Sequence, residues 1–390
     1  MRAWLRHPAA SKLSFSRLAD ACTRRFTTHT HDEVSVRCGS AGSVAIDLIN
    51  LEHHSPSAPV FIYLPPVPPL PNEVVKLPDV LQPWPVAVIR YRWSNDASVP
   101  DSPVPLHWPT PCHDTAFAFS WLKEALAPKG VDRRDIYVYG SHLGASIASS
   151  LGITESHGHA AFGVRGVIAY NGIYNWTMFL PDHRINKPTG KSKKSALPPP
   201  QPPRDSHLYN LQESLPDLFD TPGRMFDPFA SPSLFFHGPG LLIPKSFVIS
   251  SSDASDLDAL LNDGNPMMGV MKPPRRSHFV FPPRESTLKI PNTLLLHDTP
   301  NLITAKQGKV STRKGNSFET QAEELAEMMR RSVEKVELKM RSRWDDEMEG
   351  FEEEAERRVK VVDVGEERRD LEIGAEGEEI IRDWLDEKMV

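Results

Sequence analysis

Asp135-Ile136-Tyr137-Val138-Tyr139-Gly140-Ser141-His142-Leu143-Gly144-Ala145-Ser146-Ile147-Ala148 is the stretch on which the fold turns. Its first five residues are β-branched and aromatic in a continuous apolar run, which predicts a strand buried on both faces. The residues from Ala145 to Leu151 are small and suit a helix packed close to a sheet. Between them Gly140 and Gly144 flank a turn so tight that its middle residue is pushed out of the sheet. A strand, a glycine-flanked turn and a small-residue helix are the context of a G-x-S-x-G elbow. The middle residue here is His142, where a serine nucleophile is expected.

Working outward, the spacing of apolar runs predicts alternating strands and helices. Val34-Ser35-Val36-Arg37 and Val44-Ala45-Ile46-Asp47-Leu48-Ile49 read as a strand pair joined by a Gly-Ser turn. Val60-Phe61-Ile62-Tyr63-Leu64 and Val86-Ala87-Val88-Ile89-Arg90-Tyr91 have the unbroken hydrophobicity of central parallel strands. Helical spacing of Ala116, Phe119, Leu122 and Leu126 marks a crossover helix, and Val164 to Tyr170 is a further strand. Asn292 to Asp298 and Val359 to Val364 are the last strand candidates. A charge-rich amphipathic helix is expected from about Glu319 to Arg341, extending towards Glu356, and a final helix from about Glu376 to Lys388. The alternation predicts an α/β fold with a mostly parallel, doubly wound sheet flanked by helices. Residues 181–206, rich in Lys and Pro, and residues 245–287 are expected to be loop-rich insertions, disordered or lid-like.

Composition narrows the classes of function. The 390 residues are 39% hydrophobic, enough for a large core, and carry a net charge of −6. No basic stripe with interleaved aromatics exists, so no nucleic-acid partner is expected. No run of 18 apolar residues exists, so no transmembrane segment is expected. Cys22, Cys38 and Cys112 lack the spacing of a zinc site or disulfide framework, which predicts a reducing compartment. The histidine pairs His29/His31, His53/His54 and His157/His159 have no carboxylate or cysteine at ligand spacing, so neither a metal nor another cofactor is expected. Acid outweighs base 25 to 17 over residues 301–390. The acidic helical region 319–356 is therefore either a partner surface or a solvated face with i,i+4 charge pairs.

Residues 1–31 differ from the rest. Arg2, Arg6, Lys12, Arg17, Arg24 and Arg25 stand against a single acid, Asp20, among serines and threonines. That composition predicts a mitochondrial transit peptide or a disordered basic tail, with residues 32–390 as the folded domain. A matrix location follows from the first reading and a cytoplasmic one from the second.

Several separated marks accompany the elbow. Tyr91-Arg92, Trp108-Pro109, His113-Asp114, Ala118 and Trp121-Leu122 precede it, and Asp227-Pro228-Phe229-Ala230-Ser231-Pro232 follows it. In order and spacing they resemble the Y-R … P … D … A-x-x-W-L run and the D-P-x-x-S-P segment of hormone-sensitive-lipase-like esterases. The resemblance spans roughly residues 55–390 and implies an α/β-hydrolase fold.

Against that family the chemistry departs in three places. The nucleophile position is His142, which cannot form the usual acyl-enzyme ester. Ser141 sits one residue too early, and Ser146, in Gly144-Ala145-Ser146-Ile147-Ala148, falls a turn into the helix. The family's H-G-G-G oxyanion loop corresponds to Leu64-Pro65-Pro66-Val67-Pro68-Pro69, where proline has no N–H to give. Asp298 stands at the acid position, but no histidine follows His297; Glu366 and Glu367 fall where the base belongs and read as surface charge. The candidate site residues are thus His142 and Asp298, with Leu64, Pro65, Pro66, Ser141 and Leu143 as degenerate binding positions. The expectation is a catalytically inactive relative that binds a protein partner or a small apolar ligand. The alternative is an acyl-ester hydrolase in which His142 acts as nucleophile or base and Asp298 orients it.

Overall fold

The structure, a computed structural model, describes residues 25–26, 31–70, 73–93, 106–130, 132–181, 183–186, 202–204, 206–236, 281–283, 285–299, 315–338 and 351–389. The strands are β1 (Arg25–Phe26), β2 (His31–Arg37), β3 (Ser43–Ile49), β4 (Val60–Leu64), β5 (Val86–Arg90), β6 (Arg134–Ser141), β7 (Phe162–Tyr170), β8 (Asn292–Thr299) and β9 (Val359–Glu366). The helices used below are α1 (Thr110–Ala125), α2 (Leu143–Glu155), α3 (His207–Glu213), α4 (Leu215–Phe219), α5 (Phe318–Ser332), α6 (Phe351–Arg358) and α7 (Ala375–Lys388).

These strands form one nine-stranded sheet in the order β1-β2-β3-β5-β4-β6-β7-β8-β9. β1, β2, β3 and β5 pair antiparallel, and every pair from β5 to β9 is parallel. The crossing of β4 and β5 in the order is the doubly wound feature the alternating pattern predicts. Arg25 and Phe26 pair with Glu33 and Asp32, so the sheet reaches into the segment expected to be a tail; residues 1–24 lie outside the described residues.

The central strands divide their side chains by parity, as a pleated strand must. Ile62 and Leu64 of β4 and Ile136 and Val138 of β6 enter one core with α1, α2 and α5. Phe61 and Tyr63, with Tyr137 and Tyr139, enter the other, closed by Ile381, Trp384 and Leu385 of α7. Both faces are covered, which is why these strands read as unbroken apolar runs. α2 is buried along almost its whole length, with Gly144, Ala145, Ser146, Ala148, Ser149 and Gly152 interspersed among Leu143, Ile147, Leu151 and Ile153.

One expectation is adjusted. The helix expected over 319–341 ends as an α-helix at Ser332 and widens into a π turn over Val333–Leu338. Val333 and Leu338 are both buried. Five residues apart, they share a face only when the turn widens beyond α geometry. Its apolar side, including Leu325, Ala326 and Met329, is buried in the first core, so only the other side of α5 faces solvent. Beyond residues 339–350, outside the described residues, α6 resumes and Arg358 pairs with Glu337 and Glu354. Most of the two expected insertions also lies outside the described residues.

Candidate functional site

The elbow is built as its residues dictate. β6 runs through Gly140 and Ser141, and His142 turns the chain with φ 50° and ψ −112° before α2 begins. A non-glycine residue at positive φ costs on the order of 1–3 kcal/mol and persists only where its surroundings hold it. Here the His142 N–H donates to the Tyr170 carbonyl at 2.8 Å, tying the turn to the end of β7. The flanking glycines are explained by volume. A Cβ on Gly140 would stand 2.4 Å from the Gly144 carbonyl oxygen, and one on Gly144 would stand 2.2 Å from the Leu64 carbonyl oxygen.

That second contact brings the proline loop against the elbow. The Leu143 N–H, in the position from which an esterase donates to its oxyanion, donates instead to the Pro66 carbonyl at 3.2 Å. The Pro65 carbonyl accepts from the buried Tyr91 hydroxyl at 2.7 Å. Pro65 and Pro66 of the loop have no N–H to give, and the Pro66 carbonyl takes up the Leu143 N–H that the elbow provides,.

His142 is sealed in. Its ring is 2% exposed and meets Tyr170, His207 and Phe318 edge-on, with centroids 5.5, 5.4 and 6.0 Å away. Neither ring nitrogen has a hydrogen-bond partner among the described residues. Burial, reinforced by the neighbouring His207, lowers its pKa to about 3, so the ring is neutral at any ordinary pH.

Asp298, at the acid position, is also buried, but it does not orient His142. Its Oδ2 accepts from the Tyr170 hydroxyl at 2.7 Å and from Asn171 Nδ2 at 3.0 Å, and its backbone N–H returns to Asn171 Oδ1 at 2.9 Å. Burial raises the Asp298 pKa, against the opposing pull of Tyr170 and Asn171. The direct His142–Asp298 couple of the alternative reading is thus replaced by Tyr170 standing between them.

A second histidine, unforeseen from sequence, completes the cluster. His207, the first residue of α3, donates its backbone N–H to Glu367 Oε1 at 2.6 Å, and its Nε2 lies 2.8 Å from the Arg368 carbonyl. A carbonyl only accepts, so Nε2 carries the proton and Nδ1 is left as acceptor when the ring is neutral. Glu367 is turned inward rather than lying as surface charge; burial raises its pKa, opposed by His207. His207 precedes β8 in the chain, so the expected order of nucleophile, acid and base could not point to it. Its only local signal is the Ser206 N-cap, whose hydroxyl accepts from the Tyr209 N–H, and that signal announces a helix.

The remaining marks are structural ties. Arg92 grips buried Asp114 through Nε and Nη2, at 2.9 and 2.6 Å. Trp108 Nε1 donates to Asp227 at 2.9 Å, and Ser231 Oγ donates to the Met225 carbonyl. Ser146 is fully buried and donates to the Leu143 carbonyl at 2.9 Å, which is helix back-bonding rather than chemistry. Ser141 lies on the other side of the elbow from His142, in the wall of a separate cavity. No group of three or more ligating side chains is placed to hold a metal ion among the described residues. None of their helices is long and apolar enough to cross a membrane.

No family model and no curated protein matches this chain. Solved structures do. An esterase from Pyrobaculum calidifontis is 13% identical over 92% of this chain and 82% of its own, with a TM-score of 0.46. Carboxyl esterase 2 of Tuber melanosporum is 12% identical over 87% and 78%, with a TM-score of 0.41. A hormone-sensitive lipase from a metagenome library is 10% identical over 97% and 94%, with a TM-score of 0.40. Likenesses this distant say nothing of substrate. The strand order, the parallel crossovers and the strand–elbow–helix turn carry the assignment themselves: this chain has an α/β-hydrolase fold.

Proposed function

We propose that this chain is a catalytically inactive member of the esterase and lipase group of α/β-hydrolases, acting as a binding or scaffold protein. One observation carries the reading: the Leu143 N–H is engaged by the Pro66 carbonyl. An oxyanion site without its donors loses about 10²–10³ in rate for each one, and here the nucleophile is missing as well. The buried, neutral His142 ring supports the same reading, since its nitrogens face side chains rather than an open pocket. The test is hydrolysis of 4-nitrophenyl acetate and butyrate, with fluorophosphonate labelling alongside. The expected result is no rate above buffer and no label. Ester turnover that disappears in a His142→Ala variant overturns the proposal.

A second reading has one observation in its favour. His207 packs against His142, and Asp298 and Glu367 stand close to His207 in turn, so a second imidazole stands beside the elbow after all. In that reading the two histidines activate water against an acyl ester. His207→Ala and His142→Ala would then each abolish a measurable hydrolysis.

The proposed location is the mitochondrial matrix. The arginine-rich, acid-poor composition of residues 1–31 supports it,. A fluorescent reporter fused to residues 1–35 is expected to enter mitochondria, and a cytosolic reporter rejects the idea.

A further inference from the structure

A cavity of about 500 Å³ opens beside the elbow, walled by the proline loop and its continuation on one side and by residues 368–378 on the other. Its walls do not include His142, Asp298 or His207. It lies on the α7 face of the sheet, where the odd-numbered residues of β4 and β6 point. Tyr63, Tyr139 and Ser141 bring three hydroxyls to it, and these side chains are 4%, 1% and 3% exposed. None of the three hydroxyls has a hydrogen-bond partner among the described residues, and none is sealed off from the open space. Three hydroxyls that open onto one hollow and are engaged by no protein group are free to hydrogen-bond a ligand that displaces the water from it.

The charges around the hollow choose between ligands. Lys76 reaches across the mouth to Glu372 at 2.7 Å, and Arg368 is held by Asp370 at 2.8 Å. Both bases in the walls are thereby neutralised. Glu378 pairs with Arg382. Glu73 accepts the Leu70 N–H and Asp79 accepts from Gln82; neither forms an ion pair among the described residues, and Lys76, on which the Asp79 charge acts, is held by Glu372. The loop adds apolar surface from Pro65, Pro66 and Val67. An acid excess at the rim disfavours an anion, and three oxygen acceptors match the three donors of a primary ammonium group.

We infer that this cavity binds a small primary amine with an aromatic or aliphatic body, its ammonium directed to Tyr63, Tyr139 and Ser141 and its body lying on the proline loop. The volume falls in the range of small-molecule sites. The inference deepens the binding reading above and rests on it.

Calorimetric titration with phenethylamine, 2-phenylethanol and 3-phenylpropionate tests it. These share a body and differ in the head. Phenethylamine is expected to bind at least tenfold more tightly than the carboxylate. Tyr139→Phe, which keeps the ring, is expected to weaken phenethylamine binding roughly fivefold. Glu73→Gln with Asp79→Asn is expected to weaken it about as much, and added salt to weaken it further. Unchanged denaturation curves confirm that the variants fold. Tighter binding of the carboxylate, indifference to these substitutions, or no saturable binding up to about 10 mM overturns the inference. Ester turnover by the same preparation bears only on the inactive reading, so the two failures are separable.

Discussion

The Leu143 N–H and the Pro66 carbonyl oxygen stand 3.2 Å apart in a hydrogen bond that joins the start of α2 to the loop after β4. In a working esterase this N–H is held open for the developing oxyanion. Restoring the serine alone leaves that bond in place. His142→Ser is therefore expected to stay unlabelled by fluorophosphonates and to hydrolyse 4-nitrophenyl acetate no faster than the parent. A labelled, turning-over serine would show that the loop yields to substrate.

The unpartnered ring of His142 makes stability depend on pH with a defined sign. Its folded pKa, about 3, lies below the unfolded value of about 6.5,. The unfolded chain thus binds the proton first, and stability is lost as pH falls below about 6.5. His142→Phe removes this dependence while keeping a ring between Tyr170 and Phe318. Between pH 7 and pH 5 the parent is expected to lose about 2 kcal/mol more than the variant, at about 1.4 kcal/mol per pH unit. The comparison is a difference between two chains, so Asp298 and Glu367, raised in the opposite sense, cancel. Parallel curves from denaturant titrations would count against a neutral, unpartnered imidazole.

Gly144 tests the contact of α2 with the proline loop. Its substitution by alanine puts a Cβ 2.2 Å from a backbone oxygen, which no side-chain rotation relieves. Gly144→Ala is expected to cost about 3 kcal/mol or to prevent soluble expression. Gly223→Ala, where nothing lies within 4 Å, is the control and should leave the unfolding midpoint where it was.

Arg92 and Asp114 tie the segment after β5 to α1. Asp114 is fully buried, whereas the Arg92 side chain is 23% exposed, so removing the carboxylate leaves a guanidinium that water can partly reach. Asp114→Ala is expected to destabilise by about 2–3 kcal/mol. Lys76→Ala, which breaks an exposed pair with Glu372, should leave thermal unfolding unchanged. Equal effects would mean that the Arg92 bond is solvated.

Most of the fold was legible because its signals are local. β4 falls on the five residues that read as a strand, and β6 and α2 flank the turn that Gly140 and Gly144 announce. The widened turn at Val333 was not legible, since its cause is tertiary: two apolar residues five apart reach the same core. Of the site, the histidine at the turn is plain in the sequence, and the match of the proline loop to an oxyanion loop comes from the family resemblance, with proline chemistry supplying the missing N–H groups. His207 does not, because α3 brings it back from a segment whose sequence specifies only a capped helix. Nor was the Tyr170 bond to Asp298 visible, since β7 and β8 meet only in the sheet. Reading along the chain finds what a residue lacks more readily than what it meets.

The proline loop also settles the sign of the surface at the heart of the fold. Where a hydrolase gathers backbone N–H dipoles to receive negative charge, this chain aims the carbonyl of Pro66 at the elbow and packs those of Leu64 and Pro65 against Gly144. The dipoles converge with their negative ends inward. Phosphonates and boronates, which inhibit esterases by imitating an oxyanion, would thus meet repulsion as well as a missing serine. Chemical libraries assembled around such anionic warheads are the wrong place to look for compounds that occupy this protein.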